Sequence, residues 1–213
     1  ALSAKNGELV WKTPRKEAAN WSTPILIRNG AKTLLVAPGM QNTIAYDPRT
    51  GKEAWRIKGV VGNTVPSPVA GLHMVFNSAG YPDKRVNATR TDGTPVWTYE
   101  KGSAYVPSPI LYGDYLYVTT DRGLLTCFEA RSGKVLYEGK RVPKPATFSA
   151  SPVAYEGHLF MTSEDGDTFV IQAGPEHAVL QTNSLDEPVY ASPAISGGRV
   201  YIRGARHRYA IGN

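Results

Sequence analysis

Cysteine is almost missing from this chain: Cys127 is the only one in 213 residues. A single thiol excludes an internal disulfide framework, a CxxC redox pair and a CxxCH haem attachment site. Long apolar runs are missing too. None approaches the roughly 18–20 residues of a membrane-spanning helix. Histidine is scarce, and His73, His158, His177 and His207 fall into no HxH, HxxxH or HExxH spacing, so metal chemistry has no histidine frame. They read as ordinary exposed positions near turn glycines. There is no G-x-S-x-G elbow, phosphate loop or dinucleotide fingerprint. The net charge is +6, but no run of consecutive Lys and Arg accompanies it, so a nucleic-acid partner is not expected. The one local concentration, Arg199, Arg203, Arg206, His207 and Arg208, reads as a solvated rim, with an anion-binding patch as the second reading. No signal peptide is visible at Ala1, and the chain reads as starting in mid-repeat.

What the chain has in abundance is punctuation: 21 Gly and 16 Pro. The punctuation is periodic. A Pro opens an apolar run at Pro24, Pro68, Pro109, Pro152 and Pro193, at steps of 44, 41, 43 and 41 residues. A Gly followed four residues later by an aromatic keeps the same time, at Gly7 and Trp11, Gly51 and Trp55, Gly93 and Trp97, Gly133 and Tyr137. A period of about 40–45 residues made of short strands is the signature of propeller blades.

The third repeat shows the unit. Ile110-Leu-Tyr112 is a short strand and Gly113-Asp114 a tight turn. Tyr115-Leu-Tyr-Val-Thr119 is β-branched and aromatic. Asp121-Arg-Gly123 turns again, and Leu124-Leu-Thr-Cys-Phe128 is a third strand, which makes Cys127 a core residue. Glu129-Ala-Arg-Ser-Gly133 is a longer turn before a fourth strand at Lys134-Val-Leu-Tyr-Glu138. Four strands joined by hairpins make an antiparallel meander. The aromatic after the third turn belongs on the outer strand, packing across to the next blade. The Pro suits the start of the innermost strand, where no N–H partner is needed. Expected blades cover residues 21–58, 65–100, 106–140 and 149–183, with a fifth made of 190–213 plus 1–13. The fold class is an all-β propeller of four-stranded antiparallel blades in one domain, 1–213. It is either a closed five-bladed ring, with residues 8–11 paired to 208–211, or an arc of a larger, roughly eight-bladed propeller.

Ala45-Tyr-Asp-Pro-Arg-Thr-Gly-Lys-Glu-Ala-Trp55 resembles the A-x-D-x-x-T-G-x-x-x-W motif of pyrroloquinoline-quinone-type propeller repeats. Ser192-Pro-Ala-Ile-Ser-Gly-Gly-Arg-Val-Tyr201 is similar to that family's inner hairpin. The likeness covers nearly the whole chain and is nearest to the BamB-like group, bacterial envelope proteins without a bound quinone. It implies the C-terminal five repeats of a longer propeller, exported or periplasmic. The family's quinone enzymes would need adjacent cysteines, a Ca²⁺ site and a catalytic Asp. One Cys removes the first. The densest acidic group, Glu164-Asp-Gly-Asp167, reads as a solvated turn. Neither pyrroloquinoline quinone nor Ca²⁺ is therefore expected, and no catalytic or metal residue is assigned.

What remains is surface. In a propeller, the loops leading into the inner strands and the second-hairpin turns share one face around the channel. Trp21, Tyr105, Phe148 and Tyr190 lie in the lead-in loops. Lys84, Arg85, Arg122, Arg206 and His207 lie in the turns, Lys84 and Arg85 in a longer loop beginning at Tyr81. Aromatics mixed with Arg suit a protein-binding surface. The expected function is a non-catalytic scaffold for a protein or peptide partner. The alternatives are part of a quinone-dependent alcohol or sugar dehydrogenase and a carbohydrate- or polyanion-binding module.

Overall fold

A computed structural model of the chain describes residues 1–17, 20–60 and 64–212. Its strands form five separate antiparallel sheets. The first contains β1 (Ile25–Asn29), β2 (Lys32–Ala37), β3 (Asn42–Tyr46) and β4 (Glu53–Lys58). The second contains β5 (Val69–Gly71), β6 (Met74–Ala79), β7 (Arg85–Arg90) and β8 (Pro95–Tyr99). The third contains β9 (Ile110–Tyr112), β10 (Tyr115–Thr119), β11 (Leu124–Glu129) and β12 (Val135–Arg141). The fourth runs through β13 (Val153–Tyr155), β14 (His158–Thr162), β15 (Asp167–Gln172) and β16 (Val179–Ser184). The last has three strands, β17 (Ala194–Ser196), β18 (Arg199–Arg203) and β19 (Arg208–Ile211). Each sheet is a meander in sequence order, as hairpin connections demand.

The core lies between the sheets. Met74, Phe76 and Val86 of the second sheet pack against Leu116, Val118 and Phe128 of the third. Tyr117, Leu125 and Cys127 of the third pack against Leu159, Met161, Phe169 and Ile171 of the fourth. Middle strands are therefore buried on both faces, and every residue of β6 is buried. That is why they read as continuous apolar or β-branched runs instead of alternating ones.

Two devices recur from blade to blade. A Trp reaches forward at three places: the Nε1–H of Trp11, of Trp55 in β4 and of Trp97 in β8 donates to the carbonyls of Pro48, Thr91 and Ala130 at 2.9, 3.0 and 2.9 Å. Each acceptor lies in the third turn of the following blade. The glycine of that turn has φ of +70°, +95° and +75° at Gly51, Gly93 and Gly133. A Cβ there would lie 2.4, 2.9 and 2.6 Å from the incoming Trp. Glycine is thus required twice, by backbone and by the neighbouring ring. A bulge re-aims the strand at this point, where pairing slips between Ala45 and Tyr46 and between Ala88 and Thr89.

The second device links the residues that lead into successive inner strands. The backbone N–H of Thr23 donates to Ser67 Oγ, that of Ser67 to Ser108 Oγ, that of Ser108 to Ser151 Oγ, and that of Ser151 to Ser192 Oγ, all at 2.9–3.1 Å. Ser67, Ser108, Ser151 and Ser192, each just before a Pro, thus cap a donor in the preceding blade.

The five sheets form an open arc, and the closed-ring alternative does not hold. Among the described residues, β19 has no strand on its outer side. Residues 8–11 do not pair with it. Leu2 bridges Leu9 instead. Trp11 and Thr13 hydrogen-bond to the third turn of the first sheet, which holds this segment on the far side of the first blade.

Candidate functional site

The lead-in loops and second-hairpin turns meet on one face, blade by blade. In the first blade, Glu17 accepts from the amides of Gln41 (2.8 Å) and Asn42 (3.3 Å) and from Asn42 Nδ2 (2.7 Å). Between the second and third blades, the rings of Tyr81 and Tyr105 meet edge to face with centroids 6.2 Å apart. In the third, Asp121 Oδ1 accepts from the amides of Tyr105 (3.2 Å) and Val106 (3.0 Å). In the fourth, Glu164 takes the hydroxyls of Thr147 and Ser149. In the fifth, buried Glu187 accepts from the Arg206 amide (2.6 Å), His207 Nδ1 (3.0 Å) and Tyr209 Oη–H (2.5 Å).

These carboxylates anchor loops instead of facing solvent. The Tyr209 hydroxyl, working against burial and aided by the Arg206 amide and His207, holds the Glu187 carboxyl down at about 2. Burial works against ionisation of Glu17 as well, but the hydrogen bonds from Asn42 and the Gln41 amide keep its carboxyl below the usual range. The Glu164-Asp-Gly-Asp167 turn is more than a solvated turn. Glu164 is bonded as described, and buried Asp167 is ion-paired with Lys144.

The expected residues divide by phase. Counting back from the Ser or Thr that precedes each Pro, Trp21 and Tyr190 lie two residues earlier and are each 62% exposed. Tyr105 and Phe148 lie three residues earlier. Tyr105 is half-buried, and Phe148 is buried against Phe169 with its ring over Gly123. Neighbouring residues of an extended chain point to opposite sides, so Phe148 is a core residue and not part of a binding surface. Val189 and Thr64 at the same phase are also buried. Arg85 is half-buried and paired with Glu100 at 2.5 Å. Lys84 and Arg122 are exposed. Arg206 and His207 are exposed but committed to Glu187, so His207 is no free surface imidazole. His177, half-buried against the Tyr137 ring, also departs from the expected exposure.

Sequence reasoning did not single out Tyr81, 61% exposed, although it marked the loop as unusually long. It also passed over a cleft of about 110 Å³ walled by Gly123, Val142, Pro143 and Pro145 and rimmed by Arg122, Arg141 and Lys144. The signal for it was the Arg141-Val-Pro-Lys-Pro145 linker, in which cations alternate with rigid apolar residues. No group of three or more His, Cys, Asp or Glu among the described residues could hold a metal. Cys127 is buried, and burial pushes its thiol up to about 12. Among the described residues, no helix is long and apolar enough to cross a membrane.

Comparison with known proteins follows this geometry. BamB from Moraxella catarrhalis superposes with a TM-score of 0.75 at 17% identity, covering 98% of this chain and 64% of that one. The computationally designed Ika8 protein superposes with a TM-score of 0.66 at 14% identity, covering 87% and 56%. At such identities the likeness shows the propeller fold, and the chain spans less than two thirds of either structure's length. No curated protein sequence matches. A family model described as outer membrane protein assembly factor BamB matches residues 1–140 and 85–174, which together exceed half of the chain. With its repeat motif, its four-stranded blades and this match, the chain belongs to the BamB family of pyrroloquinoline-quinone-type repeat propellers.

Proposed function

We propose that this chain is a non-catalytic, protein-binding scaffold of the bacterial periplasm or envelope, acting through the loop face around the channel. The observation that carries the reading is the state of that face. Trp21, Tyr81 and Tyr190 stand exposed there, while Glu17, Asp121, Glu164 and Glu187 of that face are spent on amides and hydroxyls of the same loops. Large aromatics on a rigid support, with nearby cations, are the residue types that dominate binding energy at protein interfaces. The periplasmic placement and the protein partner come from family membership.

The test is capture from a bacterial envelope extract on immobilised protein, at low and high salt, comparing the native chain with a Trp21→Ala/Tyr190→Ala variant. A partner retained at high salt by the native chain and lost by the variant supports the reading. Retention that vanishes with salt and ignores the aromatics points to a merely basic surface and contradicts it. Saturable binding of pyrroloquinoline quinone with Ca²⁺, accompanied by a spectral change, would replace it with the dehydrogenase reading.

A further inference from the structure

We propose that the cleft rimmed by Arg122, Arg141 and Lys144 receives a carboxylate of an acidic, extended partner segment, whose apolar neighbour lies on the Tyr81–Tyr105 pair. The inference rests on the scaffold reading and adds the partner's chemistry. The two halves of the site are contiguous. The Tyr105 amide is bonded to Asp121, the residue before Arg122, and the Asp121 carbonyl accepts from the Phe148 amide at 2.9 Å, so turn and lead-in loops form one support.

Charge is left over here for a stated reason. Asp121 is the carboxylate nearest Arg122 in sequence, and its Oδ1 is turned inward to the Tyr105 and Val106 amides. Among the described residues, no carboxylate lies within ion-pair reach of Arg122 or Arg141, whereas Arg56, Arg85 and Arg206 each have one. Lys144 pairs with Asp167 at the cleft's edge. Two unpaired guanidiniums therefore flank a hole of about 110 Å³, the scale of one carboxylate with its methylenes. Guanidinium is the group best matched to a carboxylate, because its donors form a planar fork. The walls, Val142, Pro143 and Pro145, suit an aliphatic stem.

The pattern favours a discrete acidic side chain over a polyanion. A polyanion needs cations in a row, and the neighbouring loops carry exposed Asp83 and Asp165, which would repel it on either side. Tyr81 and Tyr105 supply an aromatic anchor beside the charge, as a peptide hot spot requires.

The test is fluorescence anisotropy with a short fluorescein-labelled Gly-Ser peptide carrying one Glu and one neighbouring Phe, competed with heparin or inorganic phosphate. The Arg122→Glu/Arg141→Glu variant should lose about 30-fold or more in affinity, and Tyr81→Ala about tenfold with the salt dependence unchanged. Arg49→Glu/Lys52→Glu, the same charge change at exposed positions elsewhere, should leave binding within about twofold, since distant surface charges are screened. Both arginines are exposed, so the urea midpoint of the double variant should match the native one. Equal peptide affinity in the two double variants overturns the assignment. So does heparin or phosphate binding at the cleft without peptide binding. If the envelope partner is captured by Arg122→Glu/Arg141→Glu but not by Trp21→Ala/Tyr190→Ala, the cleft is wrong and the scaffold stands. If neither the native chain nor any variant captures a partner, the scaffold reading itself fails.

Discussion

Gly133→Ala should be far more damaging than its small size suggests, and the excess should depend on a residue in another blade. Gly133 has φ +75°, a conformation that costs an L-residue roughly 1–2 kcal/mol. An added Cβ would also fall 2.6 Å from Cδ2 and Cγ of Trp97. That ring cannot retreat freely. It is stacked on Phe128 with centroids 5.5 Å apart, tilted against Phe76 at 6.0 Å, and hydrogen-bonded to the Ala130 carbonyl. Overpacking of this kind costs about 1–3 kcal/mol, so the expected total is about 2–5 kcal/mol. Gly113 provides the control. Its φ is +60° and nothing lies within 4 Å of its added Cβ, so Gly113→Ala should cost only the backbone's roughly 1–2 kcal/mol. The assay is urea unfolding of Gly113→Ala, Gly133→Ala, Trp97→Ala and the Gly133→Ala/Trp97→Ala pair. In the Trp97→Ala background the cost of Gly133→Ala should fall to about that of Gly113→Ala, a coupling of about 1–3 kcal/mol. Equal costs for the two single glycine variants, or a Gly133→Ala cost unchanged without the indole, would refute the inter-blade staple.

Three further outcomes follow from the same geometry. Ser108→Ala removes the acceptor of the Ser67 amide and should cost about 1 kcal/mol in urea unfolding; a neutral result would mean water replaces the hydroxyl belt. The Glu187 carboxyl is depressed to about 2 from 4.5, so its contribution to stability is complete above about pH 4.5 and is lost as pH falls toward 2. Glu187→Gln should flatten the fall in thermal midpoint across that acid window, and an unchanged slope would contradict the anchoring role. Cys127 is buried with its thiol pushed up to about 12. It should therefore resist a thiol reagent at neutral pH in the native protein and react only on unfolding; rapid native labelling would show the third and fourth blades to be open.

Much of the architecture was legible because it is periodic. The Pro beat falls at the entry to the first strand of each of the five sheets, although the fifth does not include residues 1–13 as expected, and the expectation that Trp11, Trp55 and Trp97 pack across to the next blade matches their bonds to Pro48, Thr91 and Ala130. Closure was not legible. Residues 8–11 read as an outer strand, but a strand pattern does not say which sheet it joins, and Trp11 binds the first blade's third turn. The role of Ser67, Ser108, Ser151 and Ser192 before their Pro was not legible, since each partner lies 41–44 residues away. Phe148 was misassigned because phase within a short extended loop decides exposure: one residue separates the positions of Trp21 and Tyr190 from those of Tyr105 and Phe148. Asp167 read as part of a solvated turn because its partner, Lys144, comes from another segment, and the anchoring role of Glu187 was not legible because Tyr209 lies 22 residues away.

Hydrogen–deuterium exchange of the chain with and without its captured envelope partner tests the central claim most directly. The account predicts new protection on the loop face: around Trp21, across Tyr81 to Arg85, at Tyr105 and Arg122, and around Tyr190. Protection confined to the outer strands β4, β8, β12 and β16, with the loop face unchanged, would contradict it.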